Sequence, residues 1–134
     1  MTQQPAATVH WETAVGTGLV RVGAGVALWR WRDPLIKLAG GSPEDPVLRS
    51  VFTYFAVRDV ALGVSALLAT RPEANVPRQV AYQGVADTVD TAIVAGLVSS
   101  GRLTRVKGTG AAALAAATAL SEYATAWRLR RLAY

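Results

Sequence analysis

The sequence predicts an all-α protein, a bundle of four transmembrane helices, and three observations carry that expectation. Four apolar runs, at about residues 12–31, 47–69, 78–99 and 106–127, each reach about 20 residues or more. At about 1.5 Å per residue each spans the roughly 30 Å hydrocarbon core of a bilayer. Only 17% of the 134 residues are charged and 51% are hydrophobic, against about 25% charged in an ordinary soluble domain. Finally, all of the 14 Lys and Arg except Arg21 and Arg58 stand at or near the ends of those runs, where cations meet anionic headgroups.

The same composition narrows the function. No cysteine is present and His10 is the single histidine, which removes disulfides, thiolate ligands, cysteine nucleophiles and multi-histidine metal sites. No metal and no cofactor are expected. A net charge of +5 raises the question of nucleic acid, but no recognition motif accompanies it. The expected surroundings are the lipid bilayer and a multi-pass place in the cell membrane, without nucleic acid. Homo-oligomerisation stays open.

In chain order, residues 1–9 (MTQQPAATV) are expected to be a loose tail, with residues 10–134 forming the single membrane domain. The first span is bracketed by Trp11, Trp29 and Trp31, as in an aromatic belt. Its glycines, Gly16, Gly18, Gly23 and Gly25, are expected to admit another helix at close range. Pro34 to Ala39 reads as a short interfacial helix broken by Gly40-Gly41. Asp45-Pro46 then supplies an N-cap and a first-turn proline for the second span. Residues 70–77 form a polar turn whose Pro77 starts the third span, and residues 100–105 connect to an alanine-rich fourth span. Seven Lys/Arg flank one side and five the other, a bias too small to set an orientation.

The apolar runs carry ions near their middles: Arg21 in the first, Arg58 and Asp59 in the second, Asp87 and Asp90 in the third. Each charge facing lipid at a helix centre costs about 2.5–3.5 kcal/mol, so five cost about 12–17 kcal/mol. They are therefore expected to face one another inside the bundle. Asp87 and Asp90 are three apart and share a face, which Gln83 and Val94 extend. Tyr54, Arg58, Leu62 and Ser65 are expected to form one face of the second span with Asp59 beside it. Thr118, Glu122 and Thr125 stripe the fourth, with Glu122 about one and a half turns off the ionic plane. Two Arg stand against three Asp in that plane, leaving one carboxyl without a partner.

Phe55–Gly63 (FAVRDVALG) and Gly84–Asp90 (GVADTVD), following a glycine-rich span with Arg21, resemble a group of small four-helix membrane proteins. That group is associated with actinobacteria and fungi and filed as a domain of unknown function. The resemblance implies the same fold over about residues 13–127 and no activity.

An ionic layer of this kind supports three functions. One is acid/base conversion of a lipophilic small molecule by epoxide opening, cyclisation or isomerisation. Asp87 or Asp90 would then be the acid, Asp59 the base and Arg58 the orienting group. Arg21, Tyr54, Gln83 and Glu122 would bind substrate. The second is a small proton- or ion-coupled transporter or channel. The third is an accessory or structural subunit whose charges only pair helices.

Overall fold

The computed structural model describes residues 4–70 and 75–132. It is all α, with five helices and no strand among the described residues: α1 (Gln4–Arg30), α2 (Arg32–Leu38), α3 (Pro46–Leu68), α4 (Val76–Ser99) and α5 (Arg105–Leu132). The four long helices coincide with the four apolar runs, and α2 is the short helix expected before Gly40. Among the described residues, α3 is the one helix long and apolar enough to cross a membrane. Helix α1 begins at Gln4, inside the stretch expected to be loose; Pro5 falls in its first turn, where a missing N–H costs nothing. The expected 70–77 turn falls partly on residues 71–74, outside the described residues.

Local signals explain the boundaries. Asp45 caps α3, its carboxylate accepting from the backbone N–H of Val47 at 2.8 Å, with Pro46 in the first turn. Asn75 caps α4 by accepting from the N–H of Arg78, with Pro77 following. Gly40 takes φ +85°, a left-handed conformation open to glycine. A side chain there would also collide with Thr104.

Helix α1 packs along α3, and α4 along α5; the two pairs meet mainly through α3 with α4 and α1 with α4. Glycine permits the first pairing. A Cβ on Gly63 would stand 2.7 Å from the Gly18 carbonyl oxygen, and one on Gly25 would stand 2.6 Å from that of Ala56. Gly16 and Gly23 face open space, so two of the four glycines expected to admit a neighbour do so. In the second pair, Gly84 lies under the ring of Tyr123.

Two small apolar clusters close the ends. Ile36, Leu48, Phe55, Val94, Leu97 and Leu103 form one; Ala14, Val76, Val80, Ala126 and Leu129 form the other. At the first end, Thr104 N–H donates to the Gly40 carbonyl at 3.2 Å and Arg102 reaches Asp45 at 2.6 Å. Burial opposes ionisation of Asp45, but the Arg102 hydrogen bond and the two N-cap amides win and hold its carboxyl below the ordinary aspartate range.

Between the clusters the usual order of a folded chain is reversed. Arg21, Asp59, Gln83, Asp87 and Asp90 are buried. Leu19, Val20, Val26, Val57, Val85, Leu114 and Leu120 are exposed on the outside.

Candidate functional site

Periodicity sets which side chains reach the middle of the bundle. On α1, Ala14, Gly18, Arg21 and Gly25 are buried, a 3–4 spacing that makes one stripe. On α4 the stripe is Val80, Gln83, Gly84, Asp87, Asp90 and Val94. On α3 it runs through Phe55, Asp59, Gly63 and Ala66.

Arg21 is the hub. Its Nη1 donates to Asp59 Oδ1 at 2.8 Å, and its Nη2 to Asp87 Oδ2 at 2.8 Å and Glu122 Oε1 at 2.5 Å. One guanidinium from α1 thus binds carboxylates from α3, α4 and α5. Arg58 duplicates the pattern from α3. Its Nη2 donates to Asp59 Oδ1 at 2.7 Å and lies 3.5 Å from Asp87 Oδ1. Its Nη1 touches Asp90 and donates to the Ala86 carbonyl at 3.3 Å. The Arg58 guanidinium also stands 5.7 Å from the centre of the Phe55 ring, within cation–π range. Planar, multiply donating guanidinium suits this bridging, which a lysine ammonium would not reproduce.

Six of the eight expected site residues therefore meet: Arg21, Arg58, Asp59, Asp87, Asp90 and Glu122. Glu122 is in the cluster and not off its plane, because the two long side chains of Arg21 and Glu122 cover the axial offset between α1 and α5. The charge imbalance is accordingly larger than expected, four carboxylates against two guanidinium groups.

Two residues fall outside. Tyr54 is 48% exposed, with its ring against Phe55. The inner face of α3 is centred on Phe55 and Asp59, one residue on from the face expected from Tyr54 and Arg58, and one residue turns a helix by about 100°. Gln83 is fully buried one turn from Asp87, but it does not border the cavity. Neither its amide nitrogen nor its oxygen has a hydrogen-bond partner among the described residues.

A cavity of about 430 Å³ extends from the cluster along the bundle toward its α2 end. Arg21, Arg58, Asp59, Asp87, Asp90 and Glu122 form one wall. Leu28, Phe52, Phe55, Val94, Leu103 and Leu114 are among the apolar walls. Along α1 the lining extends from Thr17 to Leu28, about 16 Å at about 1.5 Å per residue. The apolar walls were not expected as site residues. The available signal was Phe55, four residues before Asp59 and on the same helical face.

Such a chamber can hold an elongated apolar molecule with one polar end against groups able to donate and accept protons. The cluster is a web of ion pairs, and the cavity adjoins it. No protein-family model, curated protein or solved structure matches the chain.

Proposed function

We propose that this chain is a four-span integral membrane protein that binds a lipophilic small molecule in its central cavity and converts it by acid/base chemistry. The observation that carries the proposal is the 430 Å³ cavity, apolar along its length and ending on six ionisable side chains, four of them buried and Arg58 and Glu122 partly so. Its inverted exterior supports the membrane setting. Leu19, Val20, Leu114 and Leu120 are more than half exposed, which suits acyl chains and not water. Four helices of 23 to 28 residues are each long enough at about 1.5 Å per residue to cross about 30 Å.

In this reading the cluster positions and tunes carboxyls beside the reacting end of the substrate. Asp90 and Glu122 border the cavity and each touches one guanidinium, so these are the groups placed to exchange a proton with an occupant. Asp59 and Asp87 each face both arginines and act as the fixed counter-charge. Arg58 orients Asp90.

The experiment has two arms. The chain lacks cysteine, so single cysteines report cleanly on exposure. Leu120→Cys in intact membranes is expected to resist a water-soluble maleimide that labels Ser100→Cys. Lipophilic molecules co-purifying with wild type and with Asp90→Asn are then compared by mass spectrometry. The variant is expected to retain an unconverted form of a molecule that wild type holds as product. Rapid labelling of Leu120→Cys, or no enriched lipophile on either protein, overturns the proposal.

A further inference from the structure

We infer that the occupant is a single-chain lipophile headed by a protonated amine, and that it is admitted sideways through the gap between α1 and α5. The inference rests on the cavity-binding reading above and adds the head-group class and the route.

Charge selects the head. Within the cluster, four carboxylates face two guanidinium groups. Arg21 and Arg58 turn their Nη atoms to carboxylates already present, so an anionic head, such as a fatty acid or a phosphate, would meet a surplus of its own sign. A cationic head reduces the surplus, and in a low-dielectric chamber charge balance weighs heavily. Glu122 borders the cavity: its Oε1 is taken by Arg21, its buried Oε2 receives no donor among the described residues, and its carboxylate faces that of Asp87, so two acceptor groups converge there. An ammonium carries three donors and no acceptor, the complement of those groups. No set of side chains among the described residues is grouped to hold a metal ion, whereas an amine-headed chain brings both a balancing charge and a hydrocarbon part suited to the apolar walls.

The route follows from packing. Helix α1 packs on α3 and α5 on α4, while α1 and α5 make no comparable seam. At the far end Ala14 and Ala126 belong to one closed apolar cluster. Beyond the Arg21–Glu122 pair the helices part, and Val20, Ala24, Leu114 and Thr118 both line the cavity and are exposed. These are small or apolar side chains, suited to the passage of a hydrocarbon chain. The α2 end is closed by Ile36, Leu48 and Leu103, each almost wholly buried.

The test uses the purified full chain in nanodiscs of zwitterionic lipid, with empty nanodiscs as the partition control. The probes are dodecylamine, dodecanol and dodecanoate. Dodecylamine is expected to bind at least tenfold more tightly than dodecanol, with dodecanoate undetected. Glu122→Gln is expected to erase the preference for the amine and keep dodecanol binding. Should Glu122→Gln fail to fold, Asp90→Asn carries the same comparison. Equal binding of amine and alcohol, both blocked by filling the cavity with Phe55→Trp, overturns the amine head and leaves the cavity reading standing. Binding of none of the three overturns both. Val20→Trp/Leu114→Trp is expected to slow association at least tenfold with little change in affinity; an unchanged association rate overturns the lateral route.

Discussion

Arg21→Met removes the hub while keeping a flexible apolar side chain that replaces the arginine stem. Three carboxylates then lose a guanidinium that stood at 2.8, 2.8 and 2.5 Å. Breaking a buried ion pair from one side costs about 3–5 kcal/mol, because the surviving charge is stranded. Asp59 and Asp87 keep Arg58, so Glu122 is the group stranded outright, and the lower end applies: about 3 kcal/mol, about a hundredfold in the folding equilibrium. Arg32→Met is the control. Arg32 pairs with its neighbour Asp33 at 3.2 Å in a partly exposed setting, where such pairs are worth about 0–1 kcal/mol. The assay is reversible unfolding in mixed micelles, followed by helical circular dichroism. Adding Glu122→Gln to Arg21→Met is expected to recover part of the loss by removing the stranded charge. If Arg21→Met costs no more than Arg32→Met, the Arg21 guanidinium is hydrated and does not hold its three carboxylates as buried ion pairs.

Other expected outcomes follow from separate contacts. Gly63→Leu drives a side chain into the α1 backbone and is expected to cost about 1–3 kcal/mol or more by overpacking, read as lost helix pairing in the same unfolding assay; Gly23→Ala, facing open space, is expected to be close to neutral. Tyr54→Phe is expected to leave ligand binding unchanged by titration calorimetry, since the phenol lies outside the cavity. Asp45 titrates below its ordinary value of 3.8 in the folded chain. Its contribution to stability is therefore complete above that value and lost as pH falls through the lower folded one. Unfolding of wild type against Asp45→Asn is expected to converge at acid pH and to diverge at neutral pH.

The ionic layer was legible in the sequence because apolar runs have identifiable middles, and a charge there has few affordable neighbours except another charge. The cap at Asp45 was local and equally readable; at α4 the sequence reading named Pro77 as the start, and the structure adds Asn75 as its cap. Rotation about each helix axis was harder. Arg58 is long enough to reach inward from the edge of its face, and it drew the expected face of α3 one residue away from Phe55 and Asp59. Glu122 was misplaced for a related reason: backbone height along an axis says little about where the tip of a long side chain ends. The division of the α1 glycines into contacting Gly18 and Gly25 and open Gly16 and Gly23 depends on which side α3 approaches, and nothing local to α1 encodes that. The hydropathy of α1, α4 and α5 is lowered by their glycines, polar residues and ions, so among the described residues α3 is the one helix that carries the signature of a spanning helix.

That Arg21 ties α1 to three other helices bears on biogenesis. If the chain spans a bilayer as proposed, α1 inserted alone would hold an unneutralised guanidinium in hydrocarbon, and its third carboxylate partner arrives only with α5. A nascent chain halted before α5 would carry an incomplete knot of charge, recognisable to membrane quality control as unfinished. Assembly is then expected to be all-or-none, with the earliest segment waiting on the last.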